Sequence, residues 1–450
     1  MHPTARSAAN IGLGSGMTTH VLLSVPGIDA VDTIEIERAM IEGAEAFRPR
    51  NERAYTDPRS RIVVDDAKTF FSTERRRYDI IVSEPSNPWV SGTASLFSAE
   101  FYQLVQQYLN ADGLFVQWLQ LYEFDMDLVA SVLKAMGPHF ADYAIYEPTS
   151  GDVLIVATNR ERVPAPRADV FAAPELAGAL SRVGVRSLQD VQARRIANKT
   201  LLEPWLRTTS IRANSDFRPV LYHRAARARF LNRDAGLLTT MARGPLPVVA
   251  LLGGESVASR STDITVDEFF SPAYEASIAI AVRNLLLNGE THAGLTAVAA
   301  ENANAPDRIA RQLVEQCTAS RSVDDRSAAL YALGWRVAGR LRPVDLSAVW
   351  SAIEALPCAS NLSSLDRDWM ALFRAVGSRE PREMASAAER LLMGDGPGPA
   401  QRAFAVAAGM LGHLASGAPD AARALWQTSQ PLDTPELSFV LAVLTAHAGQ

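Results

Sequence analysis

Four short stretches carry the residue types that do chemistry. "IGLGSG" (11–16) sets Gly12, Gly14 and Gly16 around Ser15. Glycines in such a turn let the backbone come close to a ligand, and a helix starting there offers free amide N–H groups. An acid follows about twenty positions on, Glu35 in "TIEIE", where a carboxylate can accept both hydroxyls of a ribose. "VVDDAKTF" places Asp65 and Asp66 after a third apolar run, and an aspartate there can accept a hydrogen bond from an adenine amino group. Asp66 also suits a helix N-cap, and the two roles are compatible. "DIIVSEPSNPWVSG" (79–92) ends a fourth apolar run in Glu84. Pro85 and Pro88 fix φ and remove donors on either side of Ser86 and Asn87. A stiff loop of this kind keeps a carboxylate where a reacting group can use it. The plainer alternative is a turn glutamate that caps the next segment. Trp89 either walls the same pocket or packs in the core.

The elements that must hold these residues alternate. "SAANIGL" (7–13), "GIDAVDTIEI" (27–36), "RSRIVVDD" (59–66), "YDIIVSE" (78–84) and "GLFVQWLQL" (113–121) read as strands. "YAIYEPTSGDVLIVAT" (143–158) reads as two more, joined by a tight turn at Ser150-Gly151. "SAEFYQLVQQYLN" (98–110) has helical spacing, with Ser98 as N-cap and Asp112-Gly113 as stop. Strands alternating with helices predict an α/β fold with a mostly parallel sheet covered on both faces, and one antiparallel strand at the edge from the closing hairpin. In an open sheet of this type ligands sit beyond the carboxyl ends of the strands, which is where Glu35, Asp65, Asp66 and Glu84 all fall.

Past residue 160 the strand signal fades. "SLQDVQARRIANKTLLEPWL" reads as helical and "NSDFRPVLYHRAARARF" (214–230) as an extended polar stretch. From about 270 the pattern is helical to the end, with a Gly-Ala-Pro turn at 417–419 that suggests helical hairpins. The expected division is 1–160, a nucleoside-binding catalytic domain; 161–235, its helical and extended continuation; and 236–450, an all-helical domain. A tetratricopeptide-like array and an irregular bundle both stay open for the last.

Bulk properties narrow the class. The 450 residues exceed one ordinary core, and the formal net charge of -6 argues against a general phosphate-binding surface, so no nucleic-acid partner is expected. Cys317 and Cys358 stand far apart with no CxxC and read as small buried hydrophobes. The seven histidines form no HExxH and no Cys/His cluster, so no metal site is expected. No apolar run reaches ~18 residues and "MHPTARSAAN" does not resemble a signal peptide, which makes a cytoplasmic location the expectation.

Taken together, "IGLGSG", "IEIE", "DDAKTF", "YDIIVSEPSNP" and "SLFSAEFYQLVQQYLNADGLFVQ" resemble, in order and spacing, the spermidine synthase family of polyamine aminopropyltransferases. "SEPSNPWVSG" and "QWLQLYE" are more narrowly similar to a bacterial branch often fused to a membrane transporter-like region. The resemblance spans residues 8–160 and continues weakly to 232, where "NSDFRPVL" fits. It implies the class I S-adenosylmethionine-dependent methyltransferase fold, a Rossmann-like seven-stranded sheet. It also implies decarboxylated S-adenosylmethionine, or S-adenosylmethionine itself, as co-substrate without a metal, and a polyamine or other small amine as acceptor. By resemblance Gly12, Gly14, Ser15, Gly16, Glu35, Asp65 and Asp66 bind the donor, Glu84 is the general base, and Asn87, Trp89 and Gln117 meet the acceptor.

Two positions depart from the family. Ser15 stands where the glycine loop carries an aspartate for the donor's terminal amine, and Asn87 where a second aspartate helps bind the polyamine. Glu84 keeps the catalytic carboxylate but lengthens it by a methylene. Each lost carboxylate, if partly buried, removes a charge-assisted hydrogen bond of roughly 1.5–3 kcal/mol, so polyamine affinity is expected to fall about a hundredfold or more. Ser15 also relaxes the exclusion of a donor carboxylate. The family's small β-rich N-terminal segment has no counterpart before the first strand, so the amine pocket is expected to be open to water or completed by a partner. Candidate partners are a membrane protein, a second copy of the chain and, separately, a protein recruited by the helical tail. Three functions follow as expectations: an aminopropyltransferase; a methyltransferase on the same scaffold, although Asn10 stands where such enzymes usually carry an acid; and a non-catalytic nucleoside-binding module with a helical interaction domain.

Overall fold

The computed structural model describes residues 1–90, 92–254, 274–290, 323–356, 362–394, 398–430, 432 and 435–449. Cys317, Cys358 and the helical pattern at 308–317 lie outside the described residues. The chain divides into two compact units, Met1–Lys199 with Leu206–Leu238, and Thr200–Trp205 with Thr239–Gln450.

The first unit is built on one eight-stranded sheet. Its strands are β1 (Ser7–Ile11), β2 (Ala30–Glu35), β3 (Ser60–Val64), β4 (Tyr78–Ser83), β5 (Leu109–Gln120), β6 (Asp142–Thr149), β7 (Asp152–Thr158) and β8 (Arg195–Asn198), in the order β3-β2-β1-β4-β5-β7-β6-β8. β1 to β5 run parallel, and β7 is antiparallel to both β5 and β6. This is the mostly parallel arrangement that the alternating pattern predicts, in the Rossmann-like form that the resemblance implies. The inner strands are apolar on both faces, as a sheet covered on both sides requires: Ala8, Ala9, Ile11, Val31, Ile34, Ile81, Val82 and Phe115 are all buried.

Four local expectations need correction. The antiparallel strand of the hairpin, β7, is not at the edge, which β8 occupies, antiparallel to β6. The connection through the helix Met126–Met136 passes over one strand's width, and β7 returns to fill the gap between β5 and β6. An eighth strand, β8, arises inside a stretch read as helical. Ile196 and Ala197 are consecutive buried residues, and β6 offers them an open edge. The helix Ala99–Tyr108 stops before Asn110 because Leu109 already begins β5, paired with Tyr78. Finally, Val220–Phe230 is a helix rather than an extended stretch. Leu221, Ala225 and Ala228 form a narrow buried stripe at helical spacing, which the surrounding arginines mask in the sequence.

The second unit is helical. Among its described elements, Pro343–Glu354, Ser364–Ser378, Pro381–Met393, Pro399–Ala415, Pro419–Thr428 and Ser438–Ala448 follow one another with short connections. Pro stands in the first turn of four of these, where its missing N–H costs no helical bond. Trp369 stacks on Phe373 in the core, and Phe404 packs against both at a tilt. The helices Pro381–Met393 and Pro399–Ala415 approach so closely at Gly412 that a Cβ there would lie 2.5 Å from the carbonyl oxygen of Pro381.

Candidate active site at the strand ends

The glycine turn is held from three sides. Gly12, at φ +90°, donates its amide to the carbonyl of Ile34 at 2.8 Å, so β1 stays paired to β2 into the turn. A Cβ at this position would stand 2.5 Å from the Glu84 carbonyl oxygen, which places the glycine turn directly against the end of β4. Gly16 closes the turn by donating to Leu13 at 2.8 Å and, at φ 76°, leads into helix α1 (Met17–Leu23). Buried Asn51 donates its Nδ2 to the carbonyls of Ser15 (2.8 Å) and Ala44 (2.7 Å). Asn10 reaches forward to the carbonyl of Gly12 at 2.9 Å and to Thr19 Oγ1 at 3.2 Å. Ser15 is half-buried and Gly14 exposed at the tip.

Glu35 ends β2 and is 8 % exposed. Its Oε2 accepts the Leu13 amide at 2.9 Å and its Oε1 the Glu37 amide at 3.0 Å. Each carboxylate oxygen retains a further lone pair for an incoming hydroxyl. The next strand end is tied in through the Asp65 amide, which donates to the Glu35 carbonyl at 3.2 Å. Asp65 Oδ1 accepts the amide of Asp66 at 2.8 Å, and Asp66 caps the helix Ala67–Thr73 by accepting the Thr69 amide at 3.0 Å. Asp66 is exposed, and capping takes one of its oxygens while leaving the other.

Glu84 follows β4. Its amide donates to the Ile11 carbonyl at 2.9 Å, and its Oε2 accepts the Thr18 hydroxyl at 2.7 Å. Burial pushes the carboxyl above the usual carboxylate range, and the Thr18 hydroxyl pulls part of the way back. A carboxylate perturbed in this sense is a candidate for accepting or donating a proton in catalysis. Pro85 and Pro88 are both buried, which anchors the loop that leaves Glu84.

The remaining predicted residues form a neighbouring group. Asn87 Nδ2 donates to Tyr122 Oη at 3.4 Å, a long bond. Trp89 is half-buried, with the Arg229 guanidinium 5.1 Å from its ring centre, and Arg229 lies 3.4 Å from Glu123. Gln117 is fully buried beneath the end of β4. It donates Nε2 to the carbonyls of Ser83 (3.3 Å) and Trp118 (3.0 Å), while its Oε1 has no hydrogen-bond partner. The structure thus brings Gly12–Gly16, Glu35, Asp65 and Glu84 into one linked network. Asn87 and Trp89 instead sit with Tyr122, Glu123 and Arg229.

Sequence reading missed Thr18, Asn51, Tyr122 and Arg229. Thr18 stands two residues after Gly16, but no local pattern says that a glutamate 66 positions away will reach it. Arg229 was hidden because its helix was not recognised. At the opposite, amino end of the sheet, His2, Asp79 and Asp112 bring possible metal-ligand atoms within 4.8 Å of one another. Asp79 is occupied there by the amides of Arg6 and Ser7 and by Asn110, and Asp112 by Arg160 at 3.0 Å.

Residues 1–156 match the family described as "Spermine/spermidine synthase domain". The chain is 30% identical over 145 residues to the polyamine aminopropyltransferase of Caldicellulosiruptor bescii, covering 32% of this chain and 52% of that protein. To the polyamine aminopropyltransferase of Caldicellulosiruptor saccharolyticus it is 29% identical over 145 residues, with the same coverage of 32% and 52%. The chain therefore spans about half the length of these curated relatives. The crystal structure of spermidine synthase from Thermotoga maritima is 23% identical, covers 35% of this chain and 55% of that one, and superposes with a TM-score of 0.32. The first third of the chain is thus similar to the spermine/spermidine synthase domain.

Proposed function

We propose that the α/β unit binds an S-adenosyl donor at the strand ends and transfers its aminopropyl group to a small amine, with Glu84 as general base. The observation that carries this reading is Glu84 itself: a partly buried carboxylate with a raised pKa, set against the glycine turn whose next amide is held by Glu35. In this reading Glu35 takes the ribose hydroxyls, Asp65 and Asp66 meet the adenine edge, and the Gly12–Gly16 turn passes under the donor. Gln117, with an unpartnered Oε1, and Asn87 and Trp89 face the acceptor. The attacking amine must be neutral. Its lone pair forms the new C–N bond at the carbon beside the sulfonium, the C–S bond breaks with its electrons going to sulfur, and the amine proton passes to Glu84. Residues 1–235 would act as the catalytic part, and the helical unit would stabilise or dock.

Ser15 supports a second reading. Without a carboxylate at the tip of the glycine turn, nothing there selects for a donor that lacks its own carboxylate, and the same site would take intact S-adenosylmethionine for methyl transfer. Calorimetric titration of the full chain with methylthioadenosine, S-adenosylmethionine and its decarboxylated analogue, with and without putrescine, separates the two. Preference for the decarboxylated donor supports aminopropyl transfer, and preference for the intact donor supports methyl transfer. Binding of neither donor nor nucleoside refutes both and leaves a non-catalytic scaffold.

A further inference from the structure

We propose that Thr18 is the positioning residue for Glu84: its hydroxyl holds the carboxylate in the orientation from which it accepts the proton. The proposal rests on the reading of Glu84 as the base. Glutamate has one more rotatable bond than aspartate, and an unrestrained carboxylate at a strand end would lose much of its orientation. Here the longer side chain crosses to α1 and receives the Thr18 hydroxyl at 2.7 Å.

The donor is itself fixed. Threonine is β-branched and stiff at χ1. The next residue, Thr19, is fully buried and bonded to Thr33 at 2.7 Å and to Asn10 at 3.2 Å, while Asn51 pins the turn before the helix. α1 is therefore held on both sides of Thr18, and the bond occupies Oε2 while leaving Oε1 to act. The same bond has an electrostatic effect. A hydroxyl donating to the charged form opposes desolvation. Among the described residues, burial and the Thr18 hydroxyl are the two influences that shift the Glu84 carboxyl, and no charged neighbour contributes. Losing the hydroxyl leaves burial unopposed, so the Glu84 carboxyl moves further above its usual range.

The test uses the full chain as wild type, Thr18→Val, Thr18→Ala, Thr18→Ser and Glu84→Gln, with two readouts. The first is the NMR titration of the 13C-labelled Glu84 carboxyl, identified as the signal absent from Glu84→Gln. The second is the pH–rate profile with donor and amine. Thr18→Val and Thr18→Ala are expected to titrate at higher pH than wild type. Their turnover should fall about tenfold with the donor KM little changed, and the loss should persist on the high-pH plateau of the profile, where the carboxylate is ionised but no longer oriented. Thr18→Ser keeps the hydroxyl and is expected to restore both. Should Thr18→Val and Thr18→Ala titrate and turn over like wild type, the positioning role is refuted while the base assignment stands. Should Glu84→Gln turn over like wild type, the base assignment itself fails and takes this proposal with it.

Discussion

Glu84 is the residue on which the proposed chemistry turns, and its burial has opposite consequences for rate and for stability. In the proposed role of base an amide cannot replace it: Glu84→Gln should lower turnover by ~10²–10⁴-fold while calorimetry still detects donor binding. Stability should move the other way. Burial lifts the folded-state pKa above its ordinary value of 4.5, so ionisation is harder in the folded chain than in the unfolded one. The cost is absent below the unfolded pKa, grows as the pH rises through the gap between the two, and is complete above the folded pKa. Glu84→Gln should therefore melt at or above the wild-type temperature at about pH 7, and the difference should close by about pH 4. A melting series across that range checks both the sign and the window. Strain kept at a functional group in this way is a common trade of stability for activity.

At the scale of elements, the site depends on how tightly the turn after β1 meets the end of β4. Gly12→Ala would put a methyl 2.5 Å from the Glu84 carbonyl oxygen at a backbone conformation of φ +90°. The expected outcome is a loss of about 1–3 kcal/mol in thermal or denaturant unfolding, together with weakened donor binding, because backbone rather than a flexible side chain must move. The far end of α1 is secured differently. Arg59, at the entry to β3, donates to the carbonyls of Leu23 (2.6 Å) and Ile28 (2.7 Å) and is held by Asp57 at 2.7 Å. The Arg59 guanidinium, bonded to Asp57, pulls its carboxyl down to about 2. A depressed carboxylate stabilises above its unfolded pKa and loses that contribution as the pH falls through the folded one. Asp57→Asn should thus lower the melting temperature at neutral pH, and the difference should shrink as the pH falls from about 4 through about 2, measured by calorimetric scans across that range.

On the scale of the whole molecule, two compact units are expected to respond separately to core mutations. Gly412→Val in the helical unit drives a side chain into the backbone at Pro381 and Ala385, and should cost that unit about 1–3 kcal/mol while leaving donor affinity unchanged. A scanning-calorimetry shift combined with an unaltered titration would establish the separation; a parallel loss of donor binding would contradict it. The sequence by itself determined the class of the first unit and where its candidate site residues must gather. The apolar runs of β1 to β4 are local signals, and a parallel sheet sends all their carboxyl ends to one side, so Glu35, Asp65, Asp66 and Glu84 had to gather there. Only the tertiary structure decided which of them bond to what. The Thr18 hydroxyl on Glu84, Asn51 under the glycine turn and Arg229 over Trp89 join residues far apart in the chain, and no local periodicity records such meetings. The short strand β8 and the helix Val220–Phe230 were likewise settled by what lay beside them, an open strand edge in one case and a narrow buried stripe in the other, because segments with weak intrinsic preference take the conformation that their neighbours can pair with or bury.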